Sequence, residues 1–251
     1  MSHPFDLTGK VALVTGANTG LGQGIALALA EAGADIAAAG IVPADETAEK
    51  VKALGRKFVN IDANLGTLEP IERVVKTAVG ELGGLHILVN NAGLIRRADA
   101  VDFSEKDWDD VMNVNIKGAF FMAQAVGRHF IAQGYGKIIN IASMLSFQGV
   151  IRVPSYTASK SGIAGITRLL ANEWAGKGIT VNAIAPGYMA TDNTAQLRAD
   201  AERNKAILDR IPAGRWGEPS DLGGAAVFLA APASDYVNGA IIPVDGGWLA
   251  R

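Results

Sequence analysis

The stretch "KVALVTGANTGLG", residues 10–22, contains the clearest indication of the fold. Its first six residues form a short apolar run that predicts a buried β-strand. The following "TGANTGLG" places Gly16, Gly20 and Gly22 where the chain passes into an apolar helical pattern. Glycines let the backbone turn tightly and approach a pyrophosphate, whose charge is stabilised by the free N–H groups of a helix N-terminus. The stretch therefore predicts a strand, a nucleotide-binding turn and a helix, although its spacing differs from the common G-x-G-x-x-G pattern.

The alternation of short strands and longer helices continues along the chain. Further strands are predicted in "DIAAAG", "KFVNI", "HILVN", "KIINIA", "TVNAIA" and "AIIPVD". Helical patterns separate these strands, which indicates βαβ units, a parallel sheet and helices on both of its faces. We therefore predict a single doubly wound α/β domain over residues 1–251. The weakly patterned residues 188–210 follow the sixth predicted strand, and their length favours a movable substrate lid.

Two helices have clear N-terminal signals. Ser104 with Asp107 predicts a capped helix that reaches toward Gln133. Pro154 predicts the start of a second long helix, which runs to about Ala175.

Composition limits the classes of function. The chain has 251 residues, a formal net charge of −2 and no cysteine. Scattered Lys and Arg residues argue against nucleic-acid binding. The absence of cysteine excludes disulfides and thiolate metal sites and fits a reducing compartment such as the cytoplasm. Neither a signal peptide nor a membrane span is predicted, and His3, His86 and His129 lie too far apart in sequence to predict a metal site.

The stretch "PSYTASK" indicates acid–base chemistry, because Tyr156 and Lys160 lie four residues apart on one predicted helix face. A tyrosine with its ordinary pKa of about 10 is a poor base, but a neighbouring ammonium would stabilise the phenolate and lower that pKa. Ser143 follows the fifth predicted strand and could hydrogen-bond a substrate carbonyl at the same edge of the sheet. Each residue alone could equally be structural. Their combination downstream of the glycine turn favours a catalytic site.

Six short motifs carry a resemblance to a known family. "TGANTGLG", "NNAG", "NVN", the serine after "IINIA", "YTASK" and "PGYMAT" occur in the order found in the short-chain dehydrogenase/reductase family. The resemblance extends over nearly the whole chain. It implies a Rossmann-type sheet of about seven strands, with a nicotinamide cofactor across the carboxyl ends of the strands. The cofactor-binding residues that it implies are Gly16, Asn18, Thr19, Gly20, Leu21, Gly22, Ile41, Asn64, Leu65, Asn90, Ala92, Gly93, Tyr156, Lys160, Pro186, Gly187, Met189 and Thr191.

The resemblance also implies catalytic roles. Tyr156 would take the alcohol proton in oxidation and return it in reduction, while the cofactor carries the hydride. Lys160 would hold the nicotinamide ribose as well as lower the pKa of Tyr156. Ser143 would polarise the substrate carbonyl, and Asn115 would position a water that links Lys160 to solvent. The alternative from another class is a non-catalytic NAD-binding scaffold, which could dispense with these side chains.

The predicted end of the second strand bears on the choice between NAD and NADP. A 2′-phosphate requires Arg or Lys, and an NAD enzyme often has an acidic residue there for the ribose hydroxyls. This chain has Gly40 and Ile41 at that point and Thr19 in the glycine turn, so neither charge is present. A 2′-phosphate without a cationic partner costs more free energy than ribose hydroxyls without an acidic partner. NAD is therefore the expected cofactor. Asn64 replaces the family's usual aspartate, and its carbonyl oxygen could still accept from the adenine amino group.

Longer stretches, including "NIASMLSFQGVIRVPSYTASK" and "LDRIPAGRWGEPSDL", resemble family members that act on a six-carbon sugar acid. The carboxylate of such a substrate requires a cation, for which a guanidinium is well suited. Arg152, four residues before Tyr156, is the favoured substrate contact, and Arg96 and Arg97 in another loop are the alternatives. Related reductases of gluconate or of 3-oxoacyl groups are the competing activities.

The resemblance further implies a homotetramer. Trp248 lies close to the C-terminus, where a large exposed aromatic side chain would be unfavourable. We therefore expect Trp248 to be buried, wholly or partly by other subunits.

Overall fold

The computed structural model describes residues 3–251. Within this range the strands are Val11–Thr15 (β1), Asp35–Gly40 (β2), Phe58–Asp62 (β3), Ile87–Asn90 (β4), Gly136–Ile141 (β5), Ile179–Pro186 (β6) and Ile241–Val244 (β7). The α-helices are Gly20–Glu31 (α1), Asp45–Ala53 (α2), Ile71–Leu82 (α3), Glu105–Met112 (α4), Ala119–Gln133 (α5), Pro154–Trp174 (α6), Ala195–Ala199 (α7), Ala201–Leu208 (α8) and Gly223–Ala230 (α9).

The strands form one sheet in the order β3-β2-β1-β4-β5-β6-β7. Every neighbouring pair is parallel. The strand order reverses between β1 and β4, because the chain leaves β1 toward one edge of the sheet and returns beside it as β4. In sheets of this kind the crevice at the reversal point binds ligands. The predicted doubly wound α/β fold with about seven parallel strands is confirmed.

Both faces of the sheet are covered, as the apolar character of the strands requires. Along β1, Leu13 packs into the core on one face, whereas Ala12 and Val14 pack into the core on the other. The first core also contains Phe130 from α5, and the second contains Leu29 from α1. The two-residue periodicity of a strand therefore divides the interior into two layers, with the sheet between them.

The helix predicted from Ser104 to Gln133 is interrupted. Its N-terminal cap is as predicted, because the Ser104 hydroxyl accepts a 3.1 Å hydrogen bond from the Asp107 N–H. Residues Asn113–Gly118, however, form a π-helical segment between α4 and α5. Such a segment holds one residue more per turn than an α-helix and often occurs at a functional site.

Residues 188–210 contain more regular structure than their sequence pattern indicates. They include α7 and α8, and α8 is capped by the Asp200 carboxylate, which accepts from the Arg203 N–H at 3.1 Å. The segment is tied to the following loop by paired backbone hydrogen bonds between Tyr188 and Gly217 and between Ala190 and Gly217.

Trp248 is buried by its own chain, in contrast to the expectation that other subunits are needed. Its side chain is 5% exposed and packs in a cluster with Met144, Ile207 and Ile211. The C-terminus is not a free end, because its last residues fold back onto α8. Among residues 3–251 no helix is long and apolar enough to cross a membrane.

Candidate active site

A large cleft lies at the carboxyl ends of the central strands. Its volume is about 790 Å³. It extends from the glycine turn after β1 and the end of β2, past the loop after β4, to Tyr156 on α6 and to α8. A cleft of this size, lined largely by apolar groups with a few polar ones, is typical of a cofactor and substrate site.

The glycine turn brings the N-terminus of α1 against the cleft. Gly16 and Gly20 have φ values of +66° and +55°, a backbone conformation that L side chains rarely adopt. A Cβ atom added to Gly22 would lie 2.1 Å from the Gly16 carbonyl oxygen. The turn therefore has room for backbone only. Its free N–H groups and close approach fit a dinucleotide pyrophosphate.

A hydrogen-bond network joins the ends of β1 and β4 where the strand order reverses. The Thr15 hydroxyl accepts from the N–H groups of Asn91 and Ala92, at 3.0 and 2.9 Å. The Asn91 amide in turn donates to the carbonyls of Thr15 and Gly16, at 2.9 and 3.0 Å. Neither Thr15 nor Asn91 was predicted as a site residue, although the duplicated asparagine in "NNAG" was a signal for such a role.

Asn90 does not line the cleft, in contrast to its place among the predicted cofactor residues. Its buried side chain donates to the Ala119 carbonyl at 3.1 Å and to the Asn140 Oδ1 at 3.0 Å. Asn90 is the last residue of β4, and its side chain points into the core beneath α5. The next residue, Asn91, faces the cleft instead.

The other predicted cofactor residues line the cleft. They are Gly16, Asn18, Thr19, Gly20, Leu21, Gly22, Ile41, Asn64, Leu65, Ala92, Gly93, Tyr156, Lys160, Pro186, Gly187, Met189 and Thr191. The structure also brings the two ends of this set together, since a Cβ atom on Gly20 would lie 3.6 Å from the Thr191 side chain.

Lys160 is anchored beneath Tyr156. Its Nζ donates a 2.6 Å hydrogen bond to the Ile141 carbonyl at the end of β5 and lies 5.6 Å from the centre of the Tyr156 ring. The side chain is buried, and burial lowers the Lys160 pKa to about 8. The ammonium is thus held at the end of β5 at a position set by backbone geometry.

The pKa of Tyr156 differs from the sequence-based interpretation. Burial is the largest influence and raises this pKa above its ordinary value, while the neighbouring Ser143 hydroxyl and the positive charge of Arg97 lower it. Burial outweighs these two favourable influences. The reason is desolvation, because a buried phenolate loses hydration that the nearby groups do not replace. Ser143 lines the cleft, and its hydroxyl accepts from the Leu145 N–H at 3.1 Å.

Asn115 lies within the π-helical segment and contacts both the loop after β4 and α6. Its Oδ1 accepts from the Leu94 N–H at 2.8 Å, and its Nδ2 donates to the Leu94 carbonyl at 3.0 Å and to the Ser159 hydroxyl at 3.2 Å. Ser159 donates to the Tyr156 carbonyl at 2.8 Å. The Asn115 side chain is therefore occupied in joining the loop after β4 to α6, and it does not line the cleft.

The three arginines considered as substrate contacts occupy different places. Arg96 lies outside the cleft and pairs with Asp107 and Asp110, at 3.3 and 3.6 Å. Arg152 lines the cleft with a φ of +68° and pairs with Asp99 at 3.1 Å.

Arg97 also lines the cleft. Its guanidinium donates to the Asn193 carbonyl at 3.2 Å and forms no ion pair within the described part of the chain. Arg203 on α8 is a further cleft residue that the sequence analysis did not identify. Residues 3–251 contain no cluster of His, Asp or Glu side chains suited to hold a metal ion.

Comparisons with known proteins agree with this geometry. The profile of the family described as "Enoyl-(Acyl carrier protein) reductase" matches residues 16–249. The chain is 68% identical over 248 residues to 2-dehydro-3-deoxy-D-gluconate 5-dehydrogenase of Escherichia coli, covering 98% of both chains. It is 55% identical to the enzyme of that name from Bacillus subtilis, covering 98% of this chain and 97% of the relative.

A solved structure from Agrobacterium tumefaciens, described as a proposed 2-deoxy-D-gluconate 3-dehydrogenase with bound NADP, is 58% identical. The superposition covers 100% of both chains with a TM-score of 0.92. The resemblance inferred from the motifs is therefore confirmed, and the chain belongs to the short-chain dehydrogenase/reductase family of oxidoreductases.

Proposed function

We propose that this protein transfers hydride between a nicotinamide cofactor and a six-carbon sugar acid. The substrate pair that fits best is 2-dehydro-3-deoxy-D-gluconate and its 2,5-diketo product, with oxidation of 2-deoxy-D-gluconate at C3 as a second reaction of the same class. The observation that carries the proposal is the conjunction of Ser143, Tyr156 and Lys160 with a cationic wall in one cleft. The names of the similar proteins support the choice of substrate.

The cationic wall distinguishes a sugar acid from a neutral substrate. Four cationic side chains and one anionic side chain line the cleft, namely Arg97, Arg152, Lys160, Arg203 and Asp192. This excess of positive charge favours an anionic ligand. A 3-oxoacyl substrate would require a long apolar channel for its chain, whereas a short polyhydroxy acid requires cations and hydrogen-bonding groups.

The site residues perform the proton chemistry of carbonyl reduction. Since burial raises the Tyr156 pKa, the phenol stays protonated at neutral pH and can donate its proton to the developing alkoxide. Ser143 donates a hydrogen bond to the same oxygen and stabilises its negative charge. Lys160 holds its positive charge behind the tyrosine ring. The nicotinamide supplies the hydride.

Among the arginines predicted from sequence, Arg97 is the best candidate for the substrate carboxylate. Arg96 is directed to Asp107 and Asp110, and Arg152 is already paired with Asp99. Within residues 3–251 the Arg97 side chain donates one hydrogen bond, to the Asn193 carbonyl, and its positive charge lowers the pKa of Tyr156. A guanidinium without an ionic partner beside the reacting group is free to bind an acid.

We further propose that NAD is preferred over NADP. At the β2 end of the cleft the lining residues are Gly40, Ile41 and Val42, with Thr19 from the glycine turn, and none of them is cationic. The cationic lining residues lie instead in the half of the cleft around Tyr156. The Agrobacterium structure contains NADP, which is a property of that protein. Steady-state kinetics with NAD and with NADP test the preference of the present protein. Equal or better kcat/KM with NADP would contradict this part of the proposal.

A substrate panel tests the main proposal. The purified protein is assayed for NADH formation with 2-dehydro-3-deoxy-D-gluconate, 2-deoxy-D-gluconate, gluconate, a neutral hexitol and a 3-hydroxyacyl thioester. We expect the highest kcat/KM with one of the first two acids. A preference for gluconate or for the thioester would assign the protein to one of the competing activities.

Four further assignments from the sequence remain proposals. A single catalytic domain with a lid over residues 188–210 is supported by the position of α8 above the cleft. Nicotinamide contacts by the lining residues are supported by their placement. A homotetramer rests on the family resemblance, and light scattering at micromolar concentration tests it. A cytoplasmic location rests on the absence of cysteine, and cell fractionation tests it.

A further inference from the structure

Arg203 is the only cleft-lining residue on α8 that carries a charge. Its backbone N–H is used by the Asp200 cap, whereas its guanidinium forms no hydrogen bond or ion pair with any residue between 3 and 251. The other cation of α8, Lys205, is paired with Asp209 along the helix surface and does not line the cleft. Arg203 is therefore a cation that faces the cleft without a partner.

Arg203 and Arg97 approach the cleft from different elements. Arg97 lies in the loop after β4, where its charge influences Tyr156. Burial raises the pKa of Tyr188, at the start of the segment that contains α7 and α8, while the charges of Arg210 and Arg203 lower it. Asp192 is the one carboxylate among the lining residues and pairs with neither arginine. Two guanidinium groups without an ionic partner in residues 3–251 thus face one cavity, Arg97 from the loop after β4 and Arg203 from α8.

The length of the substrate suits this separation. In a six-carbon acid that reacts at C5, four carbon–carbon bonds separate the carboxylate carbon from the reacting carbon, about 5 Å in an extended chain. The carboxylate consequently lies beyond the reach of Tyr156 and Ser143. Its two oxygens offer about four acceptor positions, so that it can bind two guanidinium groups at once.

We propose that Arg203 binds the substrate carboxylate from α8, opposite Arg97, and that this contact closes residues 188–210 over the cleft. The inference rests on the sugar-acid function proposed above. It makes Arg203 a specificity-determining residue, because a neutral substrate offers nothing for the segment to close upon. Water would then be excluded from the catalytic half only when an acid is bound.

The chain contains its own reporter of this closure. The Trp216 Nε1 donates a 2.7 Å hydrogen bond to the Oδ1 of Asn204, the residue next to Arg203. Trp216 also packs against Tyr188, with ring centres 5.4 Å apart. A movement of α8 toward the cleft changes the surroundings of this indole and hence its fluorescence.

The test compares Arg203→Ala with Lys205→Ala, a matched removal of one charge from the same helix. Kinetics are measured with 2-dehydro-3-deoxy-D-gluconate and with its uncharged C1 amide. We expect Arg203→Ala to lower kcat/KM for the acid about 10- to 100-fold and to leave the amide within about twofold, as for loss of a charge-assisted hydrogen bond. Lys205→Ala should resemble wild type with both substrates, and Arg203→Lys should recover part of the activity with the acid.

Fluorescence provides the second readout. Adding the acid to the dinucleotide complex should change Trp216 emission in wild type and in Lys205→Ala but not in Arg203→Ala, with Trp216→Phe identifying the signal. Unchanged acid kinetics in Arg203→Ala would overturn the inference while leaving the sugar-acid function intact. Equal losses with acid and amide would show that Arg203 only supports α8, which also overturns it. A wild-type enzyme that prefers the amide would overturn both this inference and the proposed function.

Discussion

The half of the cleft around the glycine turn is lined by glycines and uncharged side chains, whereas the half around Tyr156 contains all the charged lining residues, Arg97, Arg152, Lys160, Asp192 and Arg203. In the first half, Gly22 packs directly against the Gly16 carbonyl, and there is no space for variation. In the second half, Arg152 has an acidic neighbour, whereas Arg97 forms no ion pair within residues 3–251. We therefore expect the backbone geometry of the first half to determine that a dinucleotide binds, and the ion pairing of side chains in the second half to determine which substrate binds.

The largest effect should follow from a change in the catalytic half. Tyr156→Phe removes the proton donor and retains the ring, so turnover should fall about 10³-fold or more. Dinucleotide affinity should change little, because the glycine turn is untouched. Stopped-flow turnover and NADH fluorescence titration measure the two quantities. Retention of most of the turnover would remove Tyr156 from its assigned role.

The buried charge of Lys160 should make the free energy of unfolding depend on pH. Its pKa is about 8 in the folded protein, lower than the value of about 10.4 expected in the unfolded chain. Between these values the unfolded state binds more protons, so the free energy of unfolding should rise with pH, by about 2 kcal/mol from pH 8 to pH 10. Below pH 8 the unfavourable burial of the ammonium is fully present.

The matched variant for this measurement is Lys160→Met, which lacks the titrating group. Chemical denaturation of both proteins across the same pH range isolates the contribution of Lys160 from that of other groups. Parallel stability curves for the two proteins would contradict the lowered pKa.

Gly22→Ala tests whether the glycine turn is a tight site for the dinucleotide. The added Cβ would lie 2.1 Å from the Gly16 carbonyl oxygen, so the turn must shift. Overpacking of this kind destabilises a protein by about 1–3 kcal/mol, and dinucleotide affinity should fall with it. The control is Gly80→Ala in α3, where no atom lies within 4 Å of the new Cβ. Equal dinucleotide affinities for these two variants would mean that the turn is not a tight cradle.

Ile41→Arg adds a positive charge to the half of the cleft around the glycine turn, where the lining side chains are uncharged. A guanidinium at the end of β2 can pair with a 2′-phosphate, so kcat/KM with NADP should rise about tenfold relative to NAD. Ile41→Gln, which has a similar length and no charge, is the control. An equal gain in both variants would show that polarity at this position matters more than charge.

The same contrast explains how much could be predicted from the sequence. The strands, the Ser104 cap, the glycine turn and the Tyr156–Lys160 pair are specified by neighbouring residues, and they were predicted. The partners of Arg152 and Arg96 lie on other loops or helices, and only the folded chain reveals them. The raised pKa of Tyr156 likewise depends on burial by distant segments.

Asn90 illustrates the limit of motif transfer at the level of one residue. The "NNAG" motif indicates that an asparagine lies at the end of β4 but not which of the two faces the cleft. The direction is decided by where the strand ends, since successive side chains of a strand point to opposite faces. Boundaries of elements are what local patterns determine least well.

The π-helical segment at Asn113–Gly118 lets the chain carry one extra residue without changing which side of α5 faces the core. Each residue of an α-helix turns the backbone by about 100°, whereas each residue of a π-helix turns it by less. Removal of one residue would therefore leave a continuous α-helix in which α5 keeps nearly its present orientation, with Phe130 still in the core. Asn115, however, would lose its alignment with Leu94. A deletion in this segment should consequently disturb the site more than the fold.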